Sequence, residues 1–396
     1  MTSPFESGKP ILEKLNEAGF EAYFVGGAVR DFLLGRKIGD IDIATSAKPE
    51  EVKSIFPKTV DVGIEHGTVL VIYNGEGYEV TTFRKESEYE DYRRPKSVEF
   101  ISSLEEDLQR RDFTINALAM DLNGDIHDPF NGKNDLVNKM IRCVGSPSER
   151  FMEDALRMMR AIRFQSQLGF QIEEETFNSL VQLAHLLEKI AVERILIEWS
   201  KLLGGKYKSS AFQSLIDTGL FQRLPANEEL SSGIQDFLHY EVNDLEAEES
   251  WLLLLYKSNV QSPYTVLKKW KTPKALQKKL DSLLMWLQFR LKHEWTPFAL
   301  YRAGIENALL VERVFNCIAG RELSVSSYTL KTLYDQLPIQ NREDLFIDGN
   351  DLLKWTNHTP GPWLKEWMGY IEKAVVEGRI GNDKEEIREW FLNEFK

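Results

Sequence analysis

The sequence predicts an α+β protein: a small domain built on a mixed β-sheet, followed by an elongated, all-helical extension. Alternating or β-branched segments such as GDIDIAT, TVLVIY and YEVTTF occur before about residue 145, with glycine or asparagine between them. From Pro147 onward, apolar residues recur at helical spacing, as in FMEDALRMMRAIRF. A run of strands followed by a run of helices is typical of this class.

The elements of the first part follow from local patterns. Residues 11–18 have helical periodicity, and residues 21–25 (EAYFV) form a strand pattern. Residues 69–80 contain two strand-like runs around Asn74-Gly75, a dipeptide favoured in tight turns, which predicts a hairpin. The polar, charge-dense residues 84–100 (RKESEYEDYRRPKSVEF) favour a mobile loop over fixed structure.

Composition sets limits on location and partners. The 396 residues predict two or three domains, and 42% hydrophobic with 28% charged residues is typical of a soluble globular protein. No apolar run approaches the roughly 20 residues that span a bilayer, and the start is too polar for a secretory signal. Cys143 and Cys317 lack metal-ligand spacing, so we expect a cytoplasmic protein without a membrane partner. A net charge of −13 excludes a uniformly basic surface, although a local basic groove suffices to bind nucleic acid.

A pair of aspartates alternates with isoleucines in the segment GDIDIAT. On a strand, Asp40 and Asp42 share one face while Ile41 and Ile43 face the core. Two carboxylates this close repel each other, and a divalent cation such as Mg²⁺ removes the repulsion. The aspartates therefore predict a metal site, although such a pair taken alone is more often a solvated strand end.

The residues before this pair suit a phosphate. Gly26-Gly27 allows close backbone approach, and Arg30 lies one helical turn further on. A glycine pair alone is more often a turn. A metal site beside a phosphate cradle is the combination that nucleotidyl transfer requires.

These residues carry a family resemblance. GGAVRD followed by GDIDIAT resembles the signature of the DNA polymerase β-like nucleotidyltransferase superfamily, and within it the chain is similar to the bacterial class II tRNA nucleotidyltransferases and poly(A) polymerases. RRDFTINALA (110–119), DPFNGKNDL (128–136) and ERFMEDALRMMRAIRF (149–164) match in order, and ERILIEWSKLL (193–203) matches more weakly. The resemblance covers about the first 205 residues. It implies a catalytic head over 1–146, a helical neck that recognises the nucleotide base over 147–205, and a tRNA-binding body and tail over 206–396.

The resemblance also implies site residues. Glu79 in YEVTTFR matches a third catalytic carboxylate, which would join Asp40 and Asp42 in holding two Mg²⁺ ions. One ion would activate the 3′-hydroxyl of an RNA primer, and the other would hold the triphosphate and the leaving pyrophosphate. In the family, Arg111, Asp112 and Asn116 match positions near the ribose and triphosphate, and Asp154 and Arg157 match positions that recognise the base. Gly27 and Arg30 of the phosphate cradle complete the predicted nucleotide site with Arg160 and Arg163, which follow one turn later and would reach phosphates or RNA. Surface helices also carry such arginines routinely.

Asp154 and Arg157 have a chemical reason to act on bases. Cytosine and adenine each present an amino donor beside a ring-nitrogen acceptor, whereas uracil and guanine present the reverse pattern. Aspartate only accepts and arginine only donates, so the pair complements CTP and ATP and rejects UTP and GTP without a template. The plainer interpretation is a surface ion pair three residues apart on one helix, worth about 0.2–0.5 kcal/mol.

Several functions stay open at this stage. The preferred hypothesis is CCA addition to tRNA from CTP and ATP, with pyrophosphate released. In the family, the DYRRP motif (91–95) is linked to adding the final A, so its presence disfavours an enzyme that adds only CC. A poly(A) polymerase usually carries a basic tail, whereas this chain ends acidic. The alternative outside enzymes is an RNA-binding module.

A basic segment is the candidate RNA contact. Residues 268–292 hold eight basic residues and one acidic residue, interleaved with Trp270, Trp286 and Phe289. This pattern predicts RNA binding, with phosphate contacts from Lys268, Lys269, Lys271 and Lys274. Basic amphipathic helices with aromatic residues in the core explain the pattern equally well. The sequence leaves a homodimer open.

Overall fold

The computed structural model describes residues 5–86, 89–90, 94–95, 98–260, 262–356 and 358–395. The chain divides into two compact units, one comprising residues up to 228 with 269–271, and the other 229–268 with 272–396. The three-part division at residues 146 and 205 stays a prediction. Within the described ranges, no helix is long and apolar enough to cross a membrane.

The β structure lies in the first unit, as the sequence predicts. The strands are β1 Ala22–Val25, β2 Asp42–Thr45, β3 Thr59–Gly63, β4 Thr68–Tyr73, β5 Glu76–Thr82, β6 Arg84–Glu86, β7 Tyr89–Glu90, β8 Arg94–Pro95, β9 Val98–Phe100, β10 Ala119–Met120, β11 Ile126–His127, β12 Met140–Ile141 and β13 Gln171–Ile172. Seven of them form one sheet in the order β11-β10-β1-β2-β5-β4-β3. Only the β2–β5 pair is parallel within this sheet, so the sheet is mixed.

The register of the central strands places Asp42 and Glu79 side by side on neighbouring strands. Asp42 lies opposite Val25 of β1 and opposite Glu79 of β5, while the next residue, Ile43, is fully buried. Strand β2 begins at Asp42, so the prediction of both aspartates on one strand face is wrong for Asp40. Asp40 lies in the connection that leads into the strand, where the chain is not yet paired with β1 or β5.

The hairpin prediction is confirmed, and the loop prediction is corrected in part. Strands β4 and β5 are joined by Asn74 and Gly75, both with positive φ (51° and 87°), as a tight hairpin turn requires. Where residues 84–100 are described, β6 pairs with β9 and β7 with β8. Backbone pairing therefore orders parts of the segment. Residues 91–93 of the DYRRP motif lie outside the described residues.

Helices account for most of the remaining regular structure in the described residues. They are α1 Phe5–Glu17, α2 Gly27–Leu33, α3 Pro49–Ile55, α4 Leu104–Gln109, α5 Gly132–Val137, α6 Pro147–Glu153, α7 Leu156–Leu168, α8 Glu174–Leu183, α9 Val192–Leu203, α10 Lys208–Asp217, α11 Asn227–Phe237, α12 Ala247–Lys257, α13 Pro263–Lys269, α14 Lys274–Arg290, α15 Pro297–Ala303, α16 Ile305–Ile318, α17 Ser327–Asp335, α18 Gly349–Thr356, α19 Pro362–Val376 and α20 Lys384–Glu394. The predicted helical second part is confirmed.

The prediction of one helix through Asp154 and Arg157 is wrong. Helix α6 ends at Glu153, Asp154 has extended backbone angles (φ −137°, ψ 102°), and α7 begins at Leu156. Leu156 N donates to Asp154 Oδ1 at 3.1 Å. A side chain that binds backbone N–H groups two residues on favours such a break over a continuous helix.

Helices α7 and α9 pack closely beside this break. Ser166 Oγ of α7 donates to the Leu202 carbonyl of α9 at 2.6 Å, and Trp199 of α9 is fully buried. Gly205 follows α9 so tightly that an added Cβ would lie 2.1 Å from Ser166 Oγ and 2.5 Å from the Ser166 carbonyl oxygen. Glycine is needed at position 205 because the backbone of Ser166 leaves no room for the methyl group of an alanine.

We expect Gly205→Ala to lower the melting temperature of the full chain, because relieving the clash must shift backbone; the cost is about 1–3 kcal/mol, as for other overpacked sites. Gly369→Ala is the matched control. Gly369 lies inside α19 with no atom within 4 Å of its added Cβ, so alanine should stabilise that helix or leave it unchanged. Thermal unfolding of both variants checks the expectation, and an unchanged melting temperature for Gly205→Ala would contradict it.

Candidate active site

A polar cavity of about 850 Å³ lies in the first unit. It is lined by both aspartates and by all nine nucleotide-binding residues that the sequence predicts, namely Asp40, Asp42, Gly27, Arg30, Arg111, Asp112, Asn116, Asp154, Arg157, Arg160 and Arg163. These residues come from separate motifs along the chain, and the fold brings them together in one cavity. Glu79 is not among the lining residues and lies beside Asp42 on the next strand.

The carboxylates at this cavity repel one another. Loss of solvent by Asp42, together with the nearby charges of Glu79 and Asp40, raises the pKa of Asp42 to about 6, although Arg111 acts in the opposite direction. Within the described residues, no three His, Cys, Asp or Glu side chains gather closely enough to form a metal cluster. The donor set nevertheless suits Mg²⁺, which binds through one or two carboxylates plus substrate phosphates.

The first glycine of the Gly26-Gly27 pair leaves room for an arginine. Gly26 has φ 71° and ψ −132°, a conformation that disfavours any side chain. Its added Cβ would lie 3.0 Å from Arg111 Nη1, and that of Gly27 would lie 3.6 Å from Arg30 Nη2. Gly26 therefore leaves room for the Arg111 guanidinium at the end of β1, whereas the distance at Gly27 is an ordinary van der Waals contact.

A hydrogen-bonded network crosses the floor of the cavity. Arg30 Nη1 donates to Asn116 Oδ1 at 2.7 Å, and Asn116 Nδ2 donates to Asp112 Oδ1 at 3.0 Å. Arg160 Nε donates to Asp112 Oδ2 at 2.6 Å. Burial alone would raise the pKa of Asp112, but Arg160 and the Asn116 hydrogen bond outweigh it and lower the pKa to about 2. Asp112 therefore stays ionised and acts as a fixed acceptor.

Asp154 and Arg157 both line the cavity, but they do not form the ion pair with each other that the plainer interpretation of the sequence predicts. Arg194 donates to both oxygens of Asp154, at 3.3 and 2.8 Å. Arg157 is buried and donates to Glu153, to the Arg150 carbonyl and to the Arg110 carbonyl at 2.9 Å. The two side chains are thus held separately.

Helix α9 contributes residues that the sequence reasoning did not assign. Arg194 and Lys201 line the cavity, and Glu198 is buried beneath it, with its carboxylate paired to Arg163. Their spacing of four and three places them on one helical face, inside the segment 193–203 that matches the family weakly. This spacing of charged residues was the signal in the sequence that could have assigned them to the site. His66, Arg84 and Arg110 also line the cavity.

The basic segment does not contribute to this cavity. Lys268, Lys269, Lys271 and Lys274 are exposed, and Lys271 Nζ lies 2.8 Å from a Glu193 carboxylate oxygen. Trp270 is fully buried and stacks on Trp199, with ring centroids 4.9 Å apart. The alternative that places the aromatic residues of this segment in the core is therefore correct for Trp270. RNA binding by the lysines stays a prediction.

Comparison with known proteins places this geometry in a family. The chain matches the model of the "Poly A polymerase head domain" over residues 22–142, the "Probable RNA and SrmB- binding site of polymerase A" over 169–230, and the "tRNA nucleotidyltransferase domain 2 putative" over 245–391. It is 47% identical over 395 residues to a CCA-adding enzyme of Geobacillus sp. (strain WCH70), covering 99% of this chain and 98% of that protein. The chain belongs to the CCA-adding enzyme family. It is therefore a nucleotidyltransferase, as the resemblance of its motifs predicts.

Further relatives agree over the full length. A CCA-adding enzyme of Bacillus mycoides is 48% identical over 387 residues, which cover 98% of each protein. The crystal structure of the Bacillus stearothermophilus CCA-adding enzyme in complex with CTP matches with a TM-score of 0.91 and 43% identity, covering 100% of this chain and 98% of that one. The Thermotoga maritima CCA-adding enzyme complexed with tRNA, at 23% identity and a TM-score of 0.59, shares the fold.

We expect Asp42→Asn to raise the melting temperature of the metal-free protein above pH about 6. The raised pKa of Asp42 means that ionisation disfavours the folded state; the stability that the neutral carboxyl contributes is complete below pH 3.8 and is lost as the pH rises through about 6. The difference between variant and wild type should therefore narrow as the pH falls from about 6 towards 3.8. Thermal unfolding with a chelator present measures it. Asp125→Asn, at an exposed turn, is the control, and a pH-independent difference would contradict the expectation.

Proposed function

We propose that the protein adds and repairs the 3′-terminal CCA of tRNA, using CTP and ATP without a nucleic-acid template and releasing pyrophosphate. The observation that carries the proposal is the single cavity in which the Asp40/Asp42 pair, the Arg30–Asn116–Asp112–Arg160 network and the Asp154 and Arg157 side chains meet. The Bacillus stearothermophilus relative was crystallised with CTP, which supports this choice of nucleotide.

Asp40 and Asp42 are the proposed ligands of two Mg²⁺ ions, with Glu79 beside them. When bound, such ions lower the pKa of the attacking hydroxyl and neutralise charge on the triphosphate. The raised pKa of Asp42 supports this assignment, because cations would relieve the repulsion among the carboxylates. In the reaction, the 3′-oxygen of the RNA bonds to the α-phosphorus, and the bond to the leaving pyrophosphate breaks.

The arginines and the Asp112 network would hold the sugar and phosphates. Arg30 and Arg111 lie at the glycine pair, close to the metal-binding aspartates, where a triphosphate requires positive charge. Asp112 already accepts from Phe113 N, from Asn116 and from two nitrogens of Arg160. A ribose 2′-hydroxyl would therefore bind Asp112 in place of one of these donors, since a carboxylate has about four acceptor sites.

Asp154 and Arg157 would select the base. Asp154 accepts the amino group of cytosine or adenine, and Arg157 donates to the neighbouring ring nitrogen. Their separate anchors, Arg194 for Asp154 and Glu153 for Arg157, support this role, because each side chain is held in position without an ion pair between the two.

Other parts of the proposal rest on sequence alone. The tRNA contacts of Lys268, Lys269, Lys271 and Lys274, the homodimer and the cytoplasmic location stay predictions, as do the domain boundaries at 146 and 205. The DYRRP argument against a CC-only enzyme concerns residues partly outside the described ranges. Within nucleotidyltransferases, CC-only addition and poly(A) synthesis are the remaining alternatives, and one assay separates both of them from CCA addition.

We expect wild-type protein with Mg²⁺ to add two C residues from CTP to tRNA transcripts that end before C74, and then one A only when ATP is present. UTP and GTP should be poor substrates, because they present the reverse donor and acceptor pattern to Asp154 and Arg157. Primer extension on transcripts ending before C74, at C74 and at C75 measures this. Addition of CC without A would indicate a CC-only enzyme, and long A tails on any RNA would indicate a poly(A) polymerase.

We expect Asp42→Ala to abolish all incorporation while leaving tRNA affinity nearly unchanged, because the variant loses a proposed metal ligand and keeps every lysine that is proposed to contact RNA. Mg²⁺ should raise the melting temperature of wild type and not of Asp42→Ala, since a ligand stabilises the state that binds it. Asp61→Ala, which removes an exposed aspartate paired with Lys53, is the control. Strong residual incorporation by Asp42→Ala would exclude Asp42 from the metal site.

A further inference from the structure

The carboxylate of Asp154 is not oriented by a helix of its own. The residue lies between α6 and α7 in extended conformation, and its backbone N–H donates to Arg150 O at 3.3 Å. The direction of the side chain therefore depends on the groups that bind its oxygens. Those groups are the Leu156 N–H, at 3.1 Å from Oδ1, and the guanidinium of Arg194.

Arg194 binds Asp154 through two parallel hydrogen bonds. Nη1 donates to Oδ1 at 3.3 Å and Nη2 to Oδ2 at 2.8 Å, so the fork of the guanidinium fixes the plane of the carboxylate. The side chain of Asp154 is 17% exposed and that of Arg194 is 27% exposed, and both residues line the cavity. Three of about four acceptor sites on Asp154 are thereby used, which leaves room for one further donor.

Helix α9 holds Arg194 in place against α7. Four residues after Arg194, Glu198 pairs with Arg163 of α7, and four residues later the Leu202 carbonyl accepts from Ser166 Oγ at 2.6 Å. These contacts recur on one face of α9, at the helical spacing of four. At the start of α9, Glu193 is paired with Lys271 at 2.8 Å. The position of Arg194 is therefore set by a packed helix.

We propose that Arg194 is a positioning residue for base selection: it holds the Asp154 carboxylate in the orientation that accepts the exocyclic amino group of cytosine or adenine. This rests on the proposed function, since it deepens the role assigned to Asp154 there. Without the fork, Asp154 keeps only its bond to the Leu156 N–H and can rotate. A rotated carboxylate distinguishes an amino group from a carbonyl less well, because discrimination depends on an acceptor fixed against the wrong base.

The test measures kcat and KM with CTP and UTP on transcripts ending before C74, and with ATP and GTP on transcripts ending at C75. The full-length variants are Arg194→Ala, Arg194→Lys, Asp154→Ala and the Asp154→Ala/Arg194→Ala double variant. Arg223→Ala is the matched control, because Arg223 also pairs with a glutamate, Glu188 at 2.7 Å, but lies away from the cavity. Melting temperatures show which variants fold, and Arg194→Gln replaces the alanine variant if that one does not.

We expect Arg194→Ala to raise KM for CTP and ATP and to reduce the preference for CTP over UTP ~10-fold, the effect of one poorly oriented hydrogen bond. Arg194→Lys should lose nearly as much selectivity, because lysine keeps the charge without the fork. In the Asp154→Ala background the same change should have little further effect, since residues acting through one group are not additive.

Three results would overturn the inference. Unchanged selectivity in both Arg194→Ala and Arg194→Lys would show that the fork is not needed. An equal loss with all four nucleotides, or an additive loss in the Asp154→Ala background, would show that Arg194 contacts the substrate itself. The proposed function fails separately, if wild-type protein incorporates no C or does not prefer CTP to UTP.

Discussion

The first unit depends on a chain of four charges, three of them buried, that links the motif segment 110–119 to helices α7 and α9. Asp112 is paired with Arg160, Arg160 approaches Glu198 at 4.0 Å, and Glu198 is paired with Arg163. Charges removed from water are costly unless each finds a partner. The segment and both helices are therefore constrained to pack so that these four side chains meet, and that packing forms the floor of the cavity.

The two ends of the cavity differ in the charge of the side chains that line them. Where β2 lies beside β5, loss of solvent and the charges of Glu79 and Asp40 raise the pKa of Asp42, and the nearby Arg111 offsets them only in part. Towards α7 and α9, basic side chains outnumber acidic ones, and Asp154 and Arg157 are held by separate partners. A substrate with a metal-bound triphosphate at one end and a base at the other suits this asymmetry. The protein side chains then take the place of a template.

Selectivity in such a site depends on residues behind those that touch the base. Asp154 lies at a break between helices, where the backbone orients its side chain weakly, and Arg194 from a neighbouring helix supplies the missing constraint. An arginine fork suits this task better than a lysine, because it fixes a plane as well as a distance. In the proposed function, helix α9 thus contributes to base recognition through the position of Arg194.

Local patterns in the sequence determined the fold class, the hairpin and the chemistry of the motifs, because turn residues, periodicity and side-chain type act over short distances. The glycine pair, the two aspartates and the DFTIN segment were recognisable for that reason. Only the tertiary structure decided that Asp40 precedes the strand, that a helix break separates Asp154 from Arg157, and that Arg194 binds Asp154 from 40 residues away. These features depend on pairing and packing between distant segments, which no local pattern encodes.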